Sequence, residues 1–285
     1  MSRFAPRSIL CAVDFSTATS AVLRWAGLFA ETYGGKVELL HAVWQEWPPY
    51  FTATQIQTFV KQNREHLGAL RHELDRAAQE ALGMKVPYST AVVEGYPVTA
   101  ILEHASAHSP ELIVMGSHGR SGIARLRLGS VAENIVREAA VPTLIVKATA
   151  NQQRPKISRV LCPVSFTKLA SRCLELSASV ASAFKAKLSL VHAVEHETED
   201  LRRTHERLCQ WVPEEVRAHC EVMEVVRRGN AAEQIVLLAR EQSVDLIVLG
   251  AEHQPFFEFT TLGTTTERVV RYADSNVLVL PWKAL

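Results

Sequence analysis

Internal repetition constrains this chain more than any other feature. The run from Ser8 to Ser16, Ser-Ile-Leu-Cys-Ala-Val-Asp-Phe-Ser, aligns with Arg159 to Thr167, Arg-Val-Leu-Cys-Pro-Val-Ser-Phe-Thr, at an offset of 151. His41-Ala-Val43 recurs as His192-Ala-Val194 at the same offset. Gly95, Gly116 and Gly129 then match Gly229, Gly250 and Gly263 at an offset of 134, so the second copy is 17 residues shorter in the stretch between its second and third strands. A chain of 285 residues that repeats itself in this way folds as two copies of one domain. The boundaries expected are 1–147 and 157–285, joined by a polar linker at 148–156 that contains Asn151, Gln152, Gln153 and Pro155.

Within each copy, short β-branched runs alternate with helical patterns, the order that gives parallel strands connected by crossover helices. The first copy places strands near Ser8 to Val13, Lys36 to Val43, Val86 to Val93, Leu112 to Met115 and Thr143 to Val146. The second places them near Val160 to Val164, Lys187 to Val194, Glu221 to Val226, Leu246 to Leu249 and Val277 to Leu280. Ser16 and Thr167 stand where helix N-caps are needed. The fold class is therefore α/β: two tandem, Rossmann-like domains, each a five-stranded parallel sheet with helices on both faces. A ligand crevice is expected at the carboxyl ends of the strands.

Composition removes some function classes. A formal charge of +1 supplies no general attraction to nucleic acid or to an anionic membrane, so any anion site must be local. Residues Met1 to Ser8 lack the apolar core of a signal peptide, and no apolar run reaches membrane-spanning length. The expectation is a soluble, cytoplasmic protein with neither nucleic acid nor membrane as partner. Cys11, Cys162, Cys173, Cys209 and Cys220 are odd in number and lack CxxC spacing, which points to reduced, mostly buried thiols.

The chemistry-bearing signal lies after the fourth strand of the first copy, in Gly116-Ser-His-Gly-Arg-Ser-Gly-Ile-Ala-Arg-Leu-Arg-Leu-Gly-Ser130, with a helix beginning near Val131. Glycines let backbone amides approach an oxygen-rich ligand, and a helix N-terminus offers unpaired N–H groups to phosphate. Gly116, two residues, Gly119, nine residues and Gly129-Ser130 is the spacing of the ATP-binding class of universal stress proteins, which the chain resembles. The resemblance covers both copies and extends to the Val-Asp-Phe-Ser entry and the Pro-Thr-Leu-Ile-Val exit.

That resemblance implies a strand order of 3-2-1-4-5 in each domain, ATP across the carboxyl edge with or without magnesium, and dimerisation through the last strand. It implies that Ala12, Val13 and Asp14 line the adenine and ribose end, with Val43 and Met115 as apolar walls. It places Gly116, Gly119, Arg120, Gly129, Ser130 and Val131 around the ribose and phosphates. Arg125 and Arg127 add positive charge to the same loop. Read without the resemblance, Ser130 with Glu133 is a capping box, Asp14 is a loop or cap residue, and His118 is a loop residue with no positioned nucleophile or carboxylate partner evident.

The second copy departs at the places that matter. Ser165 replaces the aspartate, His253 the middle glycine, and the loop reads Gln254-Pro-Phe-Phe-Glu-Phe259, all unfavourable to a polyphosphate. Gly250, Gly263 and Thr264 remain, the last forming a capping-box pattern with Glu267. Trp44 to Phe51 reads as a satellite hydrophobic cluster, with a lid or partner surface as the alternative. His205 and Cys209, with His196, His219 and Cys220 nearby, fit no closed four-ligand pattern, and no metal ligand is assigned. No Ser-His-Asp set, paired carboxylates or Walker lysine is visible.

The leading reading is a stress-response module that binds ATP in the first domain and regulates rather than catalyses. The alternatives are a slow ATPase or adenylating enzyme of the adenine-nucleotide α-hydrolase-like group, and an interaction scaffold without nucleotide. The two fifth strands, Pro142 to Val146 and Asn276 to Leu280, are apolar sheet edges that would solve each other's exposure by pairing, making an intramolecular pseudo-dimer. A homodimer of whole chains is a weaker expectation, and no protein partner can be named.

Overall fold

The computed structural model describes residues 4–44, 53–119, 128–147, 155–251 and 264–282, apart from the side chains of 53–61 and 84. The first half runs β1 (Ser8–Ala12), α1 (Thr19–Tyr33), β2 (Lys36–Val43), α2 (Ala53–Leu82), β3 (Tyr88–Glu94), α3 (Pro97–His108), β4 (Leu112–Gly116), α4 (Ser130–Glu138) and β5 (Thr143–Val146). The second runs β6 (Arg159–Pro163), α5 (Lys168–Phe184), β7 (Lys187–Val194), α6 (Leu201–Trp211), α7 (Glu214–His219), β8 (Val222–Arg228), α8 (Ala231–Glu241), β9 (Leu246–Ala251), α9 (Thr264–Tyr272) and β10 (Asn276–Pro281). The change of offset has a structural counterpart: the 30-residue α2 stands where the second half carries the shorter α6 and α7.

The strands form one sheet in the order β3-β2-β1-β4-β5-β10-β9-β6-β7-β8. Each half keeps the order 3-2-1-4-5 with parallel pairing. The halves join through the antiparallel pair β5 and β10, with Leu144 opposite Leu278 and Ile145 opposite Val277. Two separate sheets are thus merged into one, because an apolar edge with unpaired N–H and C=O groups finds its complement in the other copy.

Period-two alternation sorts the strand residues between two cores. On one face Ile9, Cys11, Leu39, Val114 and Leu144 pack with α1, α2 and α5; on the other Leu10, Ala12, Leu40, Ile113 and Ile145 pack with α3, α4, α8 and α9. Each fully buried Leu or Ile contributes about 1.5–3 kcal/mol relative to exposure. Both cores run across the junction, where Phe29 of α1 also meets Phe184 of α5 edge-on at 5.5 Å.

Local corrections concern helix starts. Thr167 caps α5 as expected, its side chain accepting from Ala170 N. Ser16 does not cap α1, which begins later, after Ala18; its carbonyl instead accepts from Thr19 N within the preceding turn. The five cysteines are free, with Cys11, Cys162 and Cys173 buried.

Candidate functional site

β1 and β4 are paired neighbours whose onward connections lead to opposite sides, to β2 and to β5, and the cleft lies at their carboxyl ends, lined by Ala12, Val13 and Asp14 from β1 and the turn after it. Val13 N still donates to Leu40 O at 2.9 Å, after which the chain reverses through Phe15 at φ 57°, a left-handed conformation that costs a bulky residue on the order of 1–3 kcal/mol. His41 holds the reversal: its Nδ1 lies 2.8 Å from Val13 O and its ring packs on Phe15 at 4.6 Å. The second half repeats the device with Phe166 at φ 57°, His192 Nδ1 at 2.7 Å from Val164 O and a ring distance of 4.6 Å. The recurring histidine of the His-Ala-Val tripeptide is therefore a clamp on the turn, a role its repetition signalled and sequence reasoning left unassigned.

The turn delivers Asp14 to the cleft, with Oδ1 accepting from Ser16 N at 3.1 Å. Opposite stands Gly119, so close that a Cβ there would sit 2.6 Å from Asp14 Oδ2. The loop leaving β4 is tied at both ends, Ser117 N donating to Val146 O and Gly129 N to Ser117 O. Gly129 is the N-cap of α4, with extended backbone and no side-chain cap bond. The expected capping box is absent: Ser130 is the first helical residue, and Glu133 pairs with Arg137 at 3.0 Å. Among the described residues no side chain caps the first turn of α4, whose Ser130, Val131 and Ala132 line the cleft.

The cleft encloses about 280 Å³ and is lined by nine of the eleven residues singled out from sequence: Ala12, Val13, Asp14, Met115, Gly116, Gly119, Gly129, Ser130 and Val131. Val43 does not line it; Leu40 and Ala42 do, because alternation along β2 turns them to the α3 side and Val43 away. Arg120, with Arg125 and Arg127, lies outside the described residues. Ile101 and Pro97 of α3 complete an apolar wall that no motif marked.

His118 also faces the cleft. Its Nδ1 lies 2.9 Å from Ser117 Oγ, and its Nε2 is buried without a hydrogen-bond partner among the described residues. Burial first, and Lys147 second, push its pKa below the ordinary 6.5. Lys147 itself is lowered to about 8 by burial, with Asp274 opposing. Ser117 and His118 are the nearest approach to a nucleophile and base, but no carboxylate orients the ring among the described residues.

The second half has the equivalent cleft, about 250 Å³, with different contents. Ser165 replaces Asp14, Leu169 replaces Ala18, and Thr266 replaces Ala132, its hydroxyl donating to Gly250 O at 2.8 Å. A Cβ on Gly250 would meet Leu169 at 2.5 Å, so this glycine is required by packing. His253, the Gln254 to Phe259 loop and Gly263 lie outside the described residues, and Thr264, like Ser130, opens its helix. Trp44 is 58% exposed and stands edge-on to Tyr96 at 5.8 Å, so it belongs to no buried cluster; 45–52 lie outside the described residues. His205 Nδ1 lies 3.7 Å from Cys209 Sγ, while His219 and Cys220 bond to carbonyls of their own helix.

A model of the universal stress protein family matches residues 6–147 and again 156–281. A universal stress protein of Methanocaldococcus jannaschii is 43% identical over 68 residues, 24% of this chain and 39% of the relative. One of Mycolicibacterium smegmatis is 23% identical over 291 residues, 95% of this chain and 96% of the relative. In fold, the chain is similar to the crystal structure of a universal stress protein from Archaeoglobus fulgidus, with a TM-score of 0.73 at 22% identity over 96% of this chain and 98% of that one. No helix among the described residues is long and apolar enough to cross a membrane.

Proposed function

The chain belongs to the universal stress protein family, and from that premise we propose that it binds ATP in the cleft of its first half and acts as a regulatory module rather than a catalyst. The observation that carries this reading is the approach of Gly119 to Asp14. The missing side chain lets the loop backbone come close against the carboxylate, so that both line a crevice that ends on the N-terminus of α4. A carboxylate suits the hydroxyls of a ribose or the amine of a base, apolar Leu40, Met115 and Ile101 suit an adenine face, and helix amides suit phosphate. Gly119, Gly129, Ser130 and Val131 would meet the ribose and phosphates. Arg120 would add a cation beside the phosphates and any magnesium that accompanies them.

The cleft's described residues support regulation rather than turnover. Asp14 and His118 are its titratable described residues, and although His118 bonds to Ser117 Oγ, no carboxylate among the described residues orients its ring. The β5–β10 ladder would make a single chain the equivalent of a dimer formed through last strands, with one competent and one altered cleft.

The test is to identify the nucleotide that co-purifies, by denaturation and chromatography, and to repeat the measurement with Asp14→Ala. The reading expects ATP, and an affinity about ten- to hundredfold weaker in the variant, the loss of a charged hydrogen bond. An unchanged affinity would remove Asp14 from the site. Multiple turnover of ATP by the purified protein would instead favour the hydrolase alternative.

A further inference from the structure

At the opposite end of the first half, away from the cleft, three side chains distant in sequence converge. Glu38 stands near the start of β2, and His104 and His108 lie one turn apart near the end of α3. One ligand atom from each lies within 4.8 Å of the other two. We propose that Glu38, His104 and His108 form a binding site for a divalent transition-metal ion of the zinc type, with the remaining coordination position open to water.

Two imidazoles and a carboxylate are a ligand set that binds zinc with an open fourth position. Tetrahedral coordination at ~2.0–2.1 Å places ligand atoms about 3.3 Å apart. His104 Nε2 is already 3.1 Å from Glu38 Oε1, so the exposed His108 is the ligand whose closer approach completes the set. The side chain of His104 is 10% exposed, and its Nε2, although so near the carboxylate, has no hydrogen bond of acceptable geometry. A metal between the two groups would replace this poorly aligned ion-pair contact with coordinate bonds to both. His108 Nδ1 lies 3.0 Å from His104 O, the backbone contact that fixes a ligating imidazole's tautomer and leaves its other nitrogen for a metal.

The second half supplies an internal comparison. The corresponding positions are Ser189, Leu238 and Gln242; Ser189 Oγ donates to Gln242 Oε1 at 2.7 Å and Leu238 is buried. The same helix therefore packs on the same strand with no metal-ligating residue at these positions, and the fold alone does not require the first half's three. Bound metal would pin the end of α3 to β2.

The full chain, stripped with chelator, is titrated with Zn2+ by calorimetry and with Co2+ by absorption, alongside the variant Glu38→Ser, His104→Leu, His108→Gln, which copies residues the fold already accepts. The proposal expects one Zn2+ per chain that raises the unfolding temperature, cobalt d–d bands without a thiolate charge-transfer band, and loss of both in the variant. Its metal-free unfolding temperature should match that of the parent. A thiolate band would place the ion on Cys209 or Cys220, and undiminished binding in the variant, or none in the parent, would equally overturn the site.

Discussion

At the scale of single residues, Gly119 and Gly129 answer to different constraints despite equal places in the loop motif. A side chain at Gly119 meets the end of the Asp14 side chain, whereas one at Gly129 meets the Ser117 carbonyl at 3.3 Å and the His118 backbone at 3.5 Å. Side chains turn aside more readily than backbone. Gly119→Val should therefore displace the carboxylate and lower ATP affinity at least a hundredfold, with the unfolding temperature held within about 2 °C. Gly129→Val should lose binding and several degrees as well. Calorimetry and thermal melts read both, and equal stability losses would contradict the distinction. Lys147 offers a pH test. Folded, it releases its proton near 8; unfolded, near 10.5, so between those values the unfolded chain holds more protons and this residue's contribution to stability rises with pH. Cys11, raised by burial, and Cys162, raised to about 12, act in the opposite sense above 9. The comparison must thus be with Lys147→Met: its stability advantage over the parent in urea unfolding should shrink from pH 8 to pH 10. A constant advantage would mean that Lys147 titrates normally.

At the scale of elements, the β5–β10 ladder rests on Leu144 and Leu278, directly opposed and wholly buried. Leu144→Asp places a charge there without a partner, and should split one cooperative unfolding transition into two or drive aggregation, as read by denaturation and light scattering. Retention of a single transition would show that contacts such as Phe29 with Phe184 suffice. Strands were legible in sequence because both copies report the same β-branched runs. The helix starts were less so: the Ser-x-x-Glu pattern at Ser130 and Thr264 implied caps, yet both residues sit inside their helices, with Gly129 capping the first. Nine cleft residues were legible through the family resemblance that the glycine spacing and the Asp14 entry carry. Leu40 and Ala42 were not, since the phase of β2, not its motif, decides which side chains face the cleft. Glu38, His104 and His108 carry no compact motif at all, because topology brings them together.

At the scale of the whole molecule, duplication has left one scaffold with two clefts of similar size and different chemistry. The turn clamp survives in both, through His41 and His192. The residues lining the two clefts differ: Ser165 stands where the first half has Asp14, and Leu169 and Thr266 occupy the space around Gly250. This asymmetry between halves that share a fold confines the proposed ATP site to the first half. Calorimetric titration of the nucleotide-free chain with ATP tests it most directly. The result expected is a stoichiometry near one per chain, abolished by Gly119→Val; two equivalent sites, or one that persists in that variant, would contradict it.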